Sequence, residues 1–188
     1  IKKVIPARLG EIMFGLNMMV SKGKTVFIGD TSVNEYPTSK ELADIAISSA
    51  RVVRLFGFDP KVAFLSHSTF GQPITSRTKH IREAVEILKD RKVDFKFDGD
   101  MQPDVALNEE YSDLYPFSEI VGNANILIMP GQHSAAISYK IMKTLGGAKV
   151  IGPLLIGLAQ PIEIAPLRSS TSDILDLASV AALSLIHI

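Results

Sequence analysis

KTVFIGDTSVNEYPTSKELADIAISSARVVRLFGFDPKVAFLS, residues 24 to 66, decides the fold. It opens on a short β-branched apolar run, KTVFIGD, and closes on a second, KVAFLS. Between them Leu42, Ile45, Ala46, Ser49, Val53 and Phe56 recur at helical spacing, behind Pro37 and a Thr38-to-Glu41 capping box and ahead of Gly57. Strand, helix, strand in that order is a βαβ unit, whose two strands lie parallel with a right-handed crossover.

The same alternation continues outward. VDFKFDG (93–99), NILIMP (125–130) and KVIGPLLIG (149–157) read as further buried strands. SRTKHIREAVEILKD (76–90) and SAAISYKIMKTLGG (134–147) read as helices, and a last helix opens with Ser170 and Asp173 at capping-box spacing. The fold expected is α/β: a doubly wound, mostly parallel sheet with helices on both faces. The stretch before Lys24 predicts a helix and a turn. Glycines and prolines between Gly152 and Pro166 predict a seam dividing 1–152 from 153–188.

Composition narrows the function. The 188 residues carry 20 basic and 20 acidic side chains, so no global field steers the chain onto nucleic acid or an anionic membrane. The absence of cysteine excludes a disulfide framework, a thiolate zinc site and a cysteine nucleophile, and fits a cytoplasmic protein. No run of about 18 uncharged apolar residues occurs. The start at Ile1 rather than methionine suggests a piece of a longer polypeptide.

Ligands of open α/β sheets bind beyond the carboxyl ends of the strands, which directs attention to loops 30–34, 66–72, 98–104 and 129–134. In LSHSTFGQP the hydroxyls of Ser66, Ser68 and Thr69, near a helix start, suit a phosphate or pantetheine carbonyl, or equally an ordinary capped connection. Neither GxxxxGKS nor GxGxxG occurs, which removes support for nucleotide hydrolysis and for a Rossmann cofactor. FDGDMQPDVAL (97–107) crowds Asp98, Asp100 and Asp104 around Gly99 and Gln102, and acid–base chemistry, a metal, or capping would all use such a pattern. No histidine or fourth acid is close in sequence, so no metal is expected. His67, His80, His133 and His187 are scattered, as loop or surface residues are. Asn123 and Asn125 suit a tied-down loop. Arg168, just before Ser169 and Ser170, would make an anion site with the amides of the last helix.

In order, FIGDTSVNEYPTSKELADIA, FGFDPKVAFLSHSTFG, FDGDMQPDVAL, VGNANILIMP, KVIGPLLIGLAQP and SSTSDILDLASVAAL resemble the phosphate acetyltransferase (phosphotransacetylase) family. Within it the spelling is similar to the C-terminal phosphotransacetylase-like domain of bacterial NADP-dependent malic enzymes. The resemblance implies a phosphotransacetylase or isocitrate dehydrogenase-like sheet, a cleft for acetyl-CoA or CoA completed by an absent N-terminal part, and a homodimer or higher homo-oligomer. It makes Asp98, Gly99, Gln102 and Asp104 a fixed turn beside that cleft, with Asp100 in place of a more usual glutamate. The family's catalytic Ser-Arg pair falls on Pro166 and Leu167, and its aspartate on Asp173. Arg168 comes one position late, Ser169 or Ser170 would have to replace the serine, and Ala136 stands for a family asparagine. Loss of the anion clamp would cost about 2 to 4 kcal/mol in the barrier. The resemblance therefore implies an acetyl-CoA-sensing regulatory and oligomerisation domain with no cofactor of its own. NADP and a divalent metal would serve an upstream catalytic domain that converts malate to pyruvate. The alternative is an active phosphate acetyltransferase.

Overall fold

A computed structural model describes residues 4–71 and 74–186. Ile1 and His187, named above, and Gln72 and Pro73 of LSHSTFGQP lie outside them. Seven strands form one sheet in the order β4-β3-β5-β2-β1-β6-β7. The strands are β1 Phe14–Ser21, β2 Lys24–Gly29, β3 Lys61–Leu65, β4 Lys96–Met101, β5 Ile126–Ile128, β6 Lys149–Ile156 and β7 Ile162–Glu163. β2, β5, β3 and β4 run parallel, whereas β1, β6 and β7 pair antiparallel. The expected parallel core is present, extended by an antiparallel flank.

The N-terminal expectation is corrected: Phe14–Ser21 is a strand, not a helix and turn. Ser21 pairs with Lys24, so Lys22 and Gly23 make a two-residue hairpin, and their φ values of 49° and 76° are those of a type I′ turn. β1 lies inside the sheet and is covered on both faces, so its side chains lack the polar alternation that would have marked it as a strand.

The helices are α1 Ser39–Leu55, α2 Ser76–Asp90, α3 Pro103–Leu107, α4 Gln132–Gly146 and α5 Thr171–Ile186. α1 begins with the expected box: Thr38 and Glu41 cap each other's backbone. Those hydrogen bonds hold the Glu41 carboxyl below its ordinary range. Leu42, Ile45 and Val53 on α1 and Ile81 and Leu88 on α2 pack with Phe14, Phe27, Val62 and Phe64 in one cluster, joined by Leu177 of α5. Burying each such side chain contributes about 1.5 to 3 kcal/mol. Ala106 of α3 and Ala135 of α4 pack on the other face with Met19, Ile28, Ala63 and Leu127. Helices thus cover both faces. On α4, Ile137, Ile141 and Leu145 form an exposed apolar stripe at helical spacing. β6 extends through positions 152 and 153, where its pairing with β1 shifts register between Ile151 and Leu154.

Candidate functional site

Two polar clusters contain the residues singled out from the sequence. The first lies at the carboxyl ends of β3 and β4. The Asp100 side chain is fully buried and accepts from Ser68 Oγ (2.7 Å) and Arg82 Nε (2.8 Å), while another Arg82 nitrogen donates to the Gly71 carbonyl (2.7 Å). The Gln102 backbone N–H donates to Thr69 Oγ1 (3.0 Å) and its side chain to the His67 carbonyl (2.9 Å). Phe70 N–H donates to the Asp100 carbonyl (2.9 Å) and Ser66 N–H to that of Met101 (2.8 Å). Loop 66–71 is therefore clamped onto β4. The three carboxylates of FDGDMQPDVAL have separate tasks: Asp98 accepts from the Gly99 N–H (2.9 Å), Asp100 anchors the clamp, and Asp104 is in the first turn of α3. Gly99, at φ 156°, brings β4 against Phe64; a Cβ there would stand 2.7 Å from the Phe64 Cβ.

Other candidates are also ties. Asn125 accepts from the Lys61 N–H (2.8 Å) and donates to the Asp59 carbonyl (2.7 Å), locking the entry to β5 against β3. His80 bridges Ser39 Oγ (2.9 Å) and the Pro37 carbonyl (2.7 Å), joining α2 to the start of α1 rather than standing free on a surface. In the loop after β2, buried Asp30 accepts from the backbone N–H groups of Gly15, Ser32, Val33 and Asn34.

The second cluster is a cleft of about 270 Å³ between α4, β6 and the start of α5, lined by Tyr139, Lys140, Lys143, Arg168, Ser169 and Asp173 over a floor of Gly152 and Pro153. Ser170, immediately before α5, donates to Asp173 Oδ2 from its backbone and its hydroxyl (2.8 Å each), and Asp173 N–H returns to the hydroxyl (3.2 Å). These bonds, backbone first, hold the Asp173 carboxyl below its ordinary range. Ser169 Oγ is buried and has no hydrogen-bond partner among the described residues. Lys149 Nζ lies 2.7 Å from Asp176 at the cleft's edge, an ion pair that raises the lysine. Leu167, at the arginine position of the resemblance, is fully exposed.

The structure brings Arg168, Ser169, Ser170 and Asp173 together and keeps Ser66, Ser68 and Thr69 apart from them. β3 and β6 are separated by β5, β2 and β1, four strand spacings or roughly 19 Å. The cleft floor at Gly152 and Pro153 falls between the Leu16–Leu154 and Met18–Ile151 pairs, and Leu16 and Met18 pair in turn with Gly29 and Phe27 of β2, so it is the width of the sheet that separates the cleft from loop 66–71. Tyr139, Lys140 and Lys143 escaped the sequence reading, which took SAAISYKIMKTLGG only as a helix. Their signal was the Lys140–Lys143 spacing, which puts both cations on one side of it.

A second cleft, of about 390 Å³, lies between α1 and β6–β7 and is lined in part by Arg8, Arg51, Arg54 and Glu163. Burial pushes the Glu163 carboxyl up to about 8, against a hydrogen bond from the Leu155 backbone, and its Oε2 has no partner among the described residues.

A family model described as phosphate acetyl/butaryl transferase matches residues 2–182. The NADP-dependent malic enzyme of Rhizobium meliloti (strain 1021) is 45% identical over 182 residues, which are 97% of this chain and 24% of the relative. A phosphate acetyltransferase of Clostridium acetobutylicum is 39% identical over 157 residues, 82% of this chain and 47% of that protein. A solved phosphotransacetylase from Streptococcus pyogenes superposes with a TM-score of 0.92 at 34% identity, covering 98% of this chain and 57% of that one. The chain thus spans about a quarter of that malic enzyme and about half of that acetyltransferase.

Proposed function

The chain belongs to the phosphate acetyl/butaryl transferase family, and on that premise we propose that it is the acetyl-CoA-sensing part of a longer, cytoplasmic NADP-dependent malic enzyme. In this reading the cleft between α4 and α5 binds acetyl-CoA and reports its occupancy to an upstream domain that oxidatively decarboxylates malate to pyruvate. Residues from Pro153 onward would join the remainder of the polypeptide, which would wall the cleft. The apolar stripe on α4 suits a surface covered in that longer, oligomeric protein. NADP and a divalent metal are assigned to the upstream domain. This chain has no dinucleotide fingerprint, and among the described residues no three His, Asp or Glu side chains are grouped to hold a metal.

The observation that carries the sensing reading is the state of Asp173. As the candidate base for deprotonating a thiol, it is committed to capping α5, and its two bonds from Ser170 make it less basic. Binding would need to favour one arrangement of the assembly by about 1 to 3 kcal/mol. The test is malate-dependent NADP reduction by the intact polypeptide during an acetyl-CoA titration. Activity that changes with acetyl-CoA, and ceases to do so when this domain is removed, is the expected result. Indifference to acetyl-CoA overturns the reading.

A second reading, an active phosphate acetyltransferase, is favoured by one observation: the unpartnered Ser169 hydroxyl lies in the same cleft as Arg168 and Asp173. Acetyl transfer from acetyl phosphate to CoA that is abolished by Ser169→Ala would establish it over the first.

A further inference from the structure

Lys140, Lys143 and Arg168 line the same small cleft from two elements, α4 and the approach to α5. Several cations elsewhere in this charge-balanced chain have acidic partners, among them Arg51 with Glu11, Arg91 with Asp44 and Lys96 with Glu119. None of these three has an ion-pair partner among the described residues; Lys140 leans on the Tyr139 ring, 5.8 Å from its centroid. Two carboxylates also line the cleft. Asp176 is paired with Lys149, and Asp173 accepts from Ser170. With that pair neutral, three unpaired cations face one carboxylate, leaving an excess of two positive charges.

We propose that Lys140 and Lys143 are specificity-determining residues that, with Arg168, read a phosphate group of the ligand. The cleft would thus discriminate a phosphate-bearing acyl compound from the neutral acyl-pantetheine that shares its thioester. This rests on the acetyl-CoA reading of the same cleft and adds which end of the ligand the cleft recognises. The chemistry follows from the cations: an ammonium group is a compact donor to phosphate oxygens, and a guanidinium adds a planar fork. The phosphate could come from the nucleotide end of acetyl-CoA or from acetyl phosphate.

Calorimetric titration of the protein with acetyl-CoA, S-acetylpantetheine and acetyl phosphate tests this. Acetyl-CoA should bind at least about tenfold more tightly than S-acetylpantetheine, the advantage of a charge-assisted hydrogen bond. The Lys140→Glu/Lys143→Glu double variant should bring that ratio to near one, with a melting temperature near that of the parent, because both side chains are exposed. If only acetyl phosphate is bound and the double variant loses it, the acyl phosphate is the phosphate source. That keeps the phosphate assignment while overturning the acetyl-CoA reading. Equal affinity for acetyl-CoA and S-acetylpantetheine overturns the phosphate assignment while sparing the acetyl-CoA reading. A double variant that discriminates as the parent does overturns the role of the lysines. Binding of none of the three probes overturns both proposals.

Discussion

At the carboxyl ends of β3 and β4, Ser68, Thr69, Gln102 and Asp100 hold one another, whereas in the cleft between α4 and α5 three cations and the Ser169 hydroxyl have no such partner. Both regions looked alike as sequence: serines next to a helix start. A polar group already bonded inside the protein can bind a ligand only by giving up that bond, and for a buried carboxylate this is expensive. The difference teaches that residual hydrogen-bonding and charge capacity, more than residue type, separates a binding surface from a scaffold.

The largest expected effect tests the scaffold side. Asp100→Ala would leave the Arg82 guanidinium facing a buried void and release Ser68, at a cost of about 3 kcal/mol in urea unfolding, the lower end for a broken buried pair because Arg82 is partly exposed. A loss no larger than that of a helix cap would erase the contrast between the regions. On the cleft side, Ser170→Ala removes the α5 cap and should cost about 1 kcal/mol. It should also move the Asp173 titration midpoint upward, as followed by NMR, because both the hydroxyl bond and part of the cap geometry are lost. An unmoved midpoint would mean that Ser170 does not control that carboxylate.

Glu163 offers the smallest effect, since its place on the edge strand β7 leaves it partly screened by solvent. Its folded carboxyl titrates near 8 instead of the ordinary 4.5, so the folded state holds a proton that the unfolded chain has released between those values. Stability contributed by this group therefore falls as pH rises from about 4.5 to 8 and is unchanged below that window. Glu163→Gln should flatten that decline in thermal melts and raise the melting temperature at pH 8 relative to the parent. An unaltered slope would mean that Glu163 does not carry that decline.

Much of the fold was legible because its signals are local. The capping box at Thr38 and Glu41 and the apolar face of α1 depend on residues within a few positions of one another. β1 was not legible, because a central strand covered on both faces loses its alternation. Of the site, the Ser170–Asp173 cap could be read from spacing, and the structure supplies the bonds. The separation of Ser66 and Arg168 could not, since strand order is a long-range property that neither loop encodes. Lys140 and Lys143 were passed over because paired lysines on a helix are ordinary until their surroundings show an excess of positive charge.

The pairing of β1 with β6 has a consequence for how the protein can be handled and made. Leu16 meets Leu154, and Val20 meets Lys149, across a separation of most of the chain. Such a contact is slow to form, and during synthesis β1 waits until β6 has emerged before its second neighbour exists. Any product ending before Lys149 would keep the β1–β2 hairpin yet expose one side of β1, including the backbone of Leu16, Met18 and Met19, as an apolar strand edge ready to pair with another molecule. Shortened forms of this chain should therefore aggregate through their first strand, and the residues following α4 act as the chain's own protection against self-association.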